Sequence, residues 1–343
     1  MTENQNPTHT HTYPPLRLDN SKRATFLECP RKYFIEYEKH LRTLNGSTPL
    51  RYGLAWHRGL EATYTADWEN SYPSSSALAL HSILHANETF DAETDKATNW
   101  FPDYRTKQNL AEAFYHYWQQ FAVDFQNFEI LSAEEPFEIT LLPSTPKQGI
   151  FYKTSGLYAF QFVGIIDLCI KTSGATWLFD HKTTSQPIYR EAERLERSYQ
   201  FLGYANAARR WLSLPVQGAI ISFHHLSSTK SRKTGLYGKS RIEFARQPVL
   251  YTPSDYTAFE DHLWWVASQI HQCRTNNYFP RNPDSCFNKY GKCRYYDIFP
   301  HSMSELLDPS FIPPNFQEVE PWDPVTNRTN SPKSKAKSKS KES

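Results

Sequence analysis

The sequence has no uninterrupted apolar run approaching the roughly 18 residues of a membrane-spanning helix. Its opening residues, MTENQNPTHTHTYPP, contain no apolar signal core. A membrane anchor and a secretory leader are therefore not expected, and the reading is a soluble cytoplasmic protein. Cysteine is scarce: five in 343 residues, an odd number, which is no disulfide framework. Net charge is small as well. The formal +2 rests on the closing Ser331–Ser343, which holds five lysines and one glutamate, so the remainder is slightly acidic. Bulk charge thus gives no argument for a polyanionic partner; only a local basic surface can.

What is present is enough for a large core. Apolar residues make up 39% and aromatics 15% of the chain, beyond what a disordered chain carries. Residues 1–16 are polar and rich in Pro, Thr and His and read as a disordered arm. Residues 303–343 read as an extended, basic, largely disordered tail. From 17 to 128 the periodicity is helical. Asn20 or Ser21 caps a first helix, and Ser76–Phe90 and Lys107–Phe125 are amphipathic. From 129 to 302 strand signals take over. Phe137–Leu142, Phe160–Lys171, Thr176–Thr183 and Gln217–His225 are β-branched and aromatic, with turns expected at Pro143–Gly149 and Ser173-Gly174. Helices are expected at Leu195–Leu212 and Ser254–Asn276. The pattern predicts an α/β fold: a mixed central sheet flanked by helices, with a helical N-terminal cap or insertion.

Two aspartates interrupt apolar strands, Asp167 in VGIIDLCI and Asp180 in WLFDHKTT. A carboxylate there is costly to bury without a partner, and a divalent cation is a good one. The turn at Ser173-Gly174 pairs the segments as a hairpin and brings the two acids close enough to share an ion, such as Mg²⁺, that prefers oxygen ligands. Lys182, two residues past Asp180, shares its strand face and is suited to orienting a water or offsetting phosphate charge; the backbone carbonyl of His181 is a further possible ligand. As the bland alternative, a D-x-K on a strand is a common surface ion pair. His57 and Glu61 lie four apart on one helix, as do Gln200 and Tyr204 on another.

In order, G-x-x-x-H-x-x-x-E, G-x-x-D, D-x-K-T and Q-x-x-x-Y resemble the motif series of the RecB-like branch of PD-(D/E)XK nucleases, which includes the RecB and AddB nuclease domains and CRISPR-adaptation exonucleases. The resemblance spans Asn20 to Cys293. It implies a restriction-endonuclease-like fold and a Mg²⁺- or Mn²⁺-dependent DNA nuclease, an exonuclease, in repair, recombination or phage- or CRISPR-type DNA processing. His57, Asp167 and Asp180 would bind metal and Lys182 would assist the water, while Gln200 and Tyr204 would support the site and contact DNA. Glu61 is divided between a site role and an ordinary surface carboxylate.

Several members of that family also hold an iron–sulfur cluster with one cysteine before the core and three after it. Cys29, Cys286 and Cys293 match three of those positions, and Phe299 stands at the fourth. The alternatives are a cluster or a zinc ion completed by Asp297 or His301, or a vestigial site in which the thiols pack as small hydrophobes. Cys169 and Cys273 read as core residues.

For DNA, the acid-free segment Ser227–Arg241 supplies Lys230, Arg232, Lys233, Lys239 and Arg241 as a basic hairpin loop, with Arg31, Lys32 and Arg58 as secondary candidates. Gly238-Lys239-Ser240 is not a P-loop, because Lys233 stands where the leading glycine belongs. A helicase or recombination partner would be a separate polypeptide. Two other classes compete with the nuclease: a non-catalytic DNA-binding or scaffold subunit retaining the fold, and a metal- or cluster-centred structural or redox protein.

Overall fold

The computed structural model describes residues 13–68, 73–96, 103–288 and 291–324. The N-terminal part runs β1 (Arg17–Leu18), α1 (Asn20–Glu28), α2 (Pro30–Tyr33), β2 (Leu41–Thr43), α3 (Thr48–Thr65), α4 (Ser75–Thr94), α5 (Lys107–Phe121) and α6 (Asp124–Asn127). There follow β3 (Glu129–Leu141), α7 (Pro146–Ser155), β4 (Phe160–Thr172), β5 (Ala175–Thr184), α8 (Ile188–Glu196), α9 (Tyr199–Trp211), β6 (Val216–Ser227) and β7 (Arg241–Leu250). The long α10 (Pro253–Thr275) leads to β8 (Phe287–Asn288), β9 (Gly291–Lys292), α11 (Met303–Leu307) and β10 (Phe316–Glu318).

The main sheet has six strands. β4 pairs with β3 along one edge, with β5 and β1 sharing the other, and the order continues through β6 to β7. β4–β5 is the expected antiparallel hairpin, β5–β6 is parallel and β6–β7 antiparallel. Ser173 and Gly174 both take positive φ, 50° and 77°, the pairing a two-residue hairpin turn requires. The sheet is therefore mixed and covered on both faces, as a restriction-endonuclease-like α/β fold demands. On one side α1, α9 and α10 bury Phe26, Phe201, Phe259 and Trp264 against Phe162 and Leu178. On the other, α3, α4 and α5 bury Trp56, Leu78, Phe114 and Trp118 against Ile170 and Phe179. Ile166 belongs to the first core and Leu168 to the second, so β4 passes from one to the other at Asp167.

Local chemistry moves several expected boundaries. Asp19, not Asn20 or Ser21, caps α1 by accepting from the Lys22 amide at 2.7 Å. The single helix expected over Leu195–Leu212 is two, because Ser198 caps a new one at Tyr199. The expected turn at Pro143–Gly149 instead starts α7: Thr145 is its cap, a proline occupies the first turn, and Gly156 at φ 78° closes it. Within the expected N-terminal arm, Leu16 is buried and Tyr13 packs 6.5 Å from Phe279; residues 1–12 lie outside the described residues. In the expected tail, α11 buries Leu306 and β10 pairs with β2. Its lysine-rich end, within 325–343, also lies outside the described residues. Among the described residues no helix is long and apolar enough to cross a membrane.

Candidate active site

Hairpin register places the acids. β4 and β5 pair from Thr172↔Ala175 up to Leu168↔Phe179, and there the ladder ends. One step further, Asp167 and Asp180 stand opposite each other where the strands part. On the other edge of β4, Ala133↔Leu168 and Glu135↔Ile166 put Glu134 opposite Asp167. Neither step is itself a paired position, and Glu134 takes a positive φ of 47°. The ladders on both edges of β4 therefore break at Asp167, and carboxylates from β3, β4 and β5 gather at that break. α3 crosses this break and brings His57, whose Nδ1 is 3.0 Å from Asp167 Oδ2. His57, Glu134 and Asp167 offer ligand atoms within 4.8 Å of one another.

Two glycines of the motif series allow these approaches. A Cβ on Gly53 of α3 would lie 3.2 Å from Thr183 Oγ1 on β5, so the helix passes close to the strand end. A Cβ on Gly164 of β4 would meet the Phe137 ring at 2.8 Å and the Tyr204 ring at 3.2 Å. Close packing, not unusual backbone geometry, requires both.

The electrostatics are those of a site short of positive charge. Asp180 is 2% exposed, and its Oδ2 has no hydrogen-bond partner. Burial first, then the Asp167 charge, push its carboxyl up to about 7, against the pull of Lys182 and His57. Burial also acts upward on Asp167. It is outweighed there by the His57 charge and hydrogen bond, by His181 and by the His181 amide at 3.3 Å, so Asp167 titrates below the usual carboxylate range. Burial pulls His57 down, yet Asp167, Asp180 and Glu134 together raise it to about 9. A divalent cation fits this donor set. Among the described residues, His57, Glu134 and Asp167 are the donors within reach of one ion. Asp180, expected as a ligand beside His57 and Asp167, stands outside that trio with its orphaned buried oxygen, close enough for its charge to act on His57. Oxygen donors with an imidazole are what a hard or borderline cation needs.

Lys182 lies on the same face of β5 as Asp180, and Lys182 Nζ donates to Gln200 Oε1 at 3.1 Å. The Gln200 carbonyl in turn accepts from Asn20 Nδ2 at 3.3 Å, tying α9 to α1. Tyr204, one turn beyond Gln200, packs its ring 6.1 Å from Phe137. Burial and the nearby aspartates drive its hydroxyl far above the usual tyrosine range. His57, Asp167, Asp180, Lys182, Gln200 and Tyr204 are thus brought together. Glu134, not singled out from sequence, joins them. Its signal was an acidic pair, Glu134-Glu135, before Pro136 at the centre of a strand. Glu61 pairs with Arg58 at 2.7 Å and is not among the His57, Glu134 and Asp167 donors.

The three cysteines meet beside α2, apart from the residues of the carboxylate site. Cys29, Cys286, Cys293 and Phe299 line one cavity of about 20 Å³ together with Ile35, Tyr295 and Tyr296, room for about one water. Neither proposed fourth ligand reaches it. Asp297 pairs with Lys292 at 2.7 Å, His301 with Glu305 at 3.3 Å, and both line a different cavity. Three thiols and an aromatic ring do not fit a four-thiolate cluster, nor a zinc ion needing a fourth donor. Cys169 and Cys273 belong to the core, where burial raises their thiols to about 12 and about 11.

The basic segment is the β6–β7 connection. It leaves β6 beyond His225, the residue opposite Thr184, and so emerges at the strand end nearest Lys182. Arg232, Lys233 and Lys239 are exposed. Lys230 lies 5.5 Å over the Tyr237 ring, and Arg241 pairs with Glu243 at 2.5 Å. Tyr237 packs on Tyr104 at 5.3 Å, and Ser240 Oγ accepts from Asn109 at 2.8 Å, so the loop is fastened to the cap. The secondary candidates are committed elsewhere: Arg31 is buried against the Phe279 and His301 carbonyls, Lys32 pairs with Glu28, and Arg58 pairs with Glu61.

No curated protein matches the sequence. The family model described as PD-(D/E)XK nuclease superfamily matches residues 20–298, which is most of the chain and encloses every residue of the carboxylate group, His57, Lys182 and the basic loop. With that match laid over this geometry, the chain belongs to the PD-(D/E)XK nuclease superfamily.

Proposed function

We propose that this nuclease is a Mg²⁺- or Mn²⁺-dependent DNA exonuclease of the RecB-like branch. The observation that carries the reading is the group Glu134, Asp167 and Asp180, met by His57 and flanked by a Lys182 already held in place by Gln200. His57, Asp167 and Glu134 hold the ion, and Asp180 beside them adds a fourth donor. The ion, when bound, supplies Lewis acidity to the scissile phosphate and to the attacking water.

The chain's own residues do the rest. Lys182, kept forward by Gln200, presents an ammonium on the face where that water and a phosphate oxygen must lie, orienting one and offsetting the charge of the other. Tyr204 and Phe137 wall the inner side and limit solvent. Lys230, Arg232, Lys233 and Lys239 project from the adjacent loop and give the backbone contacts that overall charge does not promise. Exonuclease action and the RecB-like assignment rest on the order of the motifs.

The test is incubation of 5′- and 3′-labelled single- and double-stranded DNA with Mg²⁺ or Mn²⁺. Release of terminal nucleotides supports the proposal, and internal fragments would reassign it to an endonuclease. Folded, metal-bound protein that cleaves none of the substrates refutes the catalytic reading and leaves a non-catalytic DNA-binding subunit.

A further inference from the structure

Behind β5, near the buried His181, lies an ionic cluster that the proposed chemistry does not use. Arg246 of β7 forks onto Asp124 of α6, Nη1 to Oδ1 at 2.7 Å and Nη2 to Oδ2 at 2.5 Å. Its Nη2 also donates to the Tyr117 hydroxyl of α5 at 3.2 Å. Tyr64 of α3 donates to Asp124 Oδ2 at 2.6 Å, and its oxygen lies 3.0 Å from that of Tyr117. Asp124 is 2% exposed. The guanidinium is stacked over Phe121 at 3.8 Å and over Phe179 of β5 at 5.0 Å.

A buried ion pair is poor evidence of stabilisation, because apolar residues of similar volume often do as well. What this one adds is direction. Its donors and acceptors come from α3, α5, α6 and β7, and each hydroxyl or carboxylate accepts only a narrow range of angles. Tyr64 follows His57 by seven residues, two turns along the same face of α3. The His181 ring stands between them, 5.9 Å from the Tyr64 ring and nearly parallel to it, and 6.2 Å from the His57 ring and nearly perpendicular. Neither His181 ring nitrogen has a hydrogen-bond partner, so the imidazole acts here as a packed spacer. Fixing the Tyr64 hydroxyl therefore fixes the rotation of α3 about its axis, and with it the reach of His57 to Asp167.

The geometry points to Tyr64, Asp124 and Arg246 as a positioning unit that holds His57 against Asp167 from two helical turns away. As a statement about metal binding this rests on the proposal that His57 and Asp167 hold the ion. As a statement about geometry it does not.

Both are measured on the full chain. Tyr64→Phe keeps the ring and removes only the hydroxyl; Asp124→Leu combined with Arg246→Met replaces the pair by apolar volume. The expected result is a thermally stable protein in each case, with Mn²⁺ affinity lowered about tenfold or more, the range for loss of a residue supporting a ligand. A crystal structure of metal-free Tyr64→Phe should show the His57–Asp167 contact lengthened beyond hydrogen-bond distance. If that contact stays at its present length, or if both folded variants bind Mn²⁺ as the native chain does, the cluster is only structural and the inference is overturned. A native chain that binds no Mn²⁺, beside a Tyr64→Phe variant with the contact lengthened, would sink the proposed function and leave the positioning geometry standing.

Discussion

Asp167 and Asp180 face each other at the first step where the β4–β5 ladder comes apart, so the two strands diverge around a pair of carboxylates. Like charges held this close without a counter-ion cannot both stay ionised cheaply. The fold answers by putting His57 on one and leaving the other to take up a proton.

That arrangement makes metal binding pH-dependent. Asp180, raised to about 7, and His57, raised to about 9, must both shed protons to act as ligands. Mn²⁺ affinity should therefore rise from pH 6 towards pH 9, with protons released on binding. The metal-free protein should follow a different course. Between the ordinary aspartate range and about 7 the folded state holds a proton on Asp180 that the unfolded chain does not, so this group lowers stability as pH rises through that window. His57 contributes stability that is full below its ordinary value and lost as pH passes about 9. Calorimetric titrations in buffers of different ionisation enthalpy measure the released protons; an affinity flat across this range contradicts the scheme.

Asp180→Asn should trade activity for stability. It removes the cost of a buried, unpartnered carboxylate oxygen, so metal-free stability should rise by about 1–2 kcal/mol. Cleavage should fall by about 10²–10³-fold, the scale for losing one preorganised electrostatic partner. Thermal melts without metal and initial rates with it check the two halves separately.

Gly164→Ala should cost about 1–3 kcal/mol, because its Cβ would press on the Phe137 and Tyr204 rings between two packed layers. A fall in melting temperature is the readout, and an unchanged one would mean that the rings yield freely.

The cysteine cavity gives a gain-of-function test. The native chain should be purified without stoichiometric iron or sulfide, even anaerobically, and chelators should leave its melting temperature unchanged. Phe299→Cys supplies the missing thiol, and reconstitution should then give visible sulfur-to-iron absorption. Iron and sulfide in the native protein would contradict this.

Replacing Lys230, Arg232 and Lys233 together by Ala should raise KM for DNA and flatten the salt dependence of binding, leaving kcat near its native value. Equal losses in kcat and kcat/KM would place the loop in the reacting geometry instead.

Much of this site was legible in the residues. The Ser173-Gly174 turn fixed the hairpin register, and Asp167 and Asp180 are the first residues beyond its last pair, Leu168↔Phe179. Lys182 followed from strand alternation, while Gln200 and Tyr204 came from the resemblance to the Q-x-x-x-Y motif, helical spacing showing only that they share a helix face. Glu134 was missed because the acidic pair Glu134-Glu135 before Pro136 does not tell which of the two acids faces the site until the partner strand is known. Ser198 was missed as a helix start because apolar spacing runs on through it, and α7 because Thr-Pro and Gly read equally as turn residues. The Tyr64–Asp124–Arg246 cluster joins positions far apart in the chain, which no local pattern connects. The thiol cavity was left open in sequence because only the fold shows Asp297 and His301 facing elsewhere.

The most direct measurement is degradation of end-labelled DNA by the native chain, Asp180→Ala and Lys182→Ala, each with Mn²⁺ and with chelator. The account predicts label release by the native chain only when metal is present, and none by either variant, although both remain folded and still bind DNA. Cleavage that survives chelation, or that both variants retain, would contradict it.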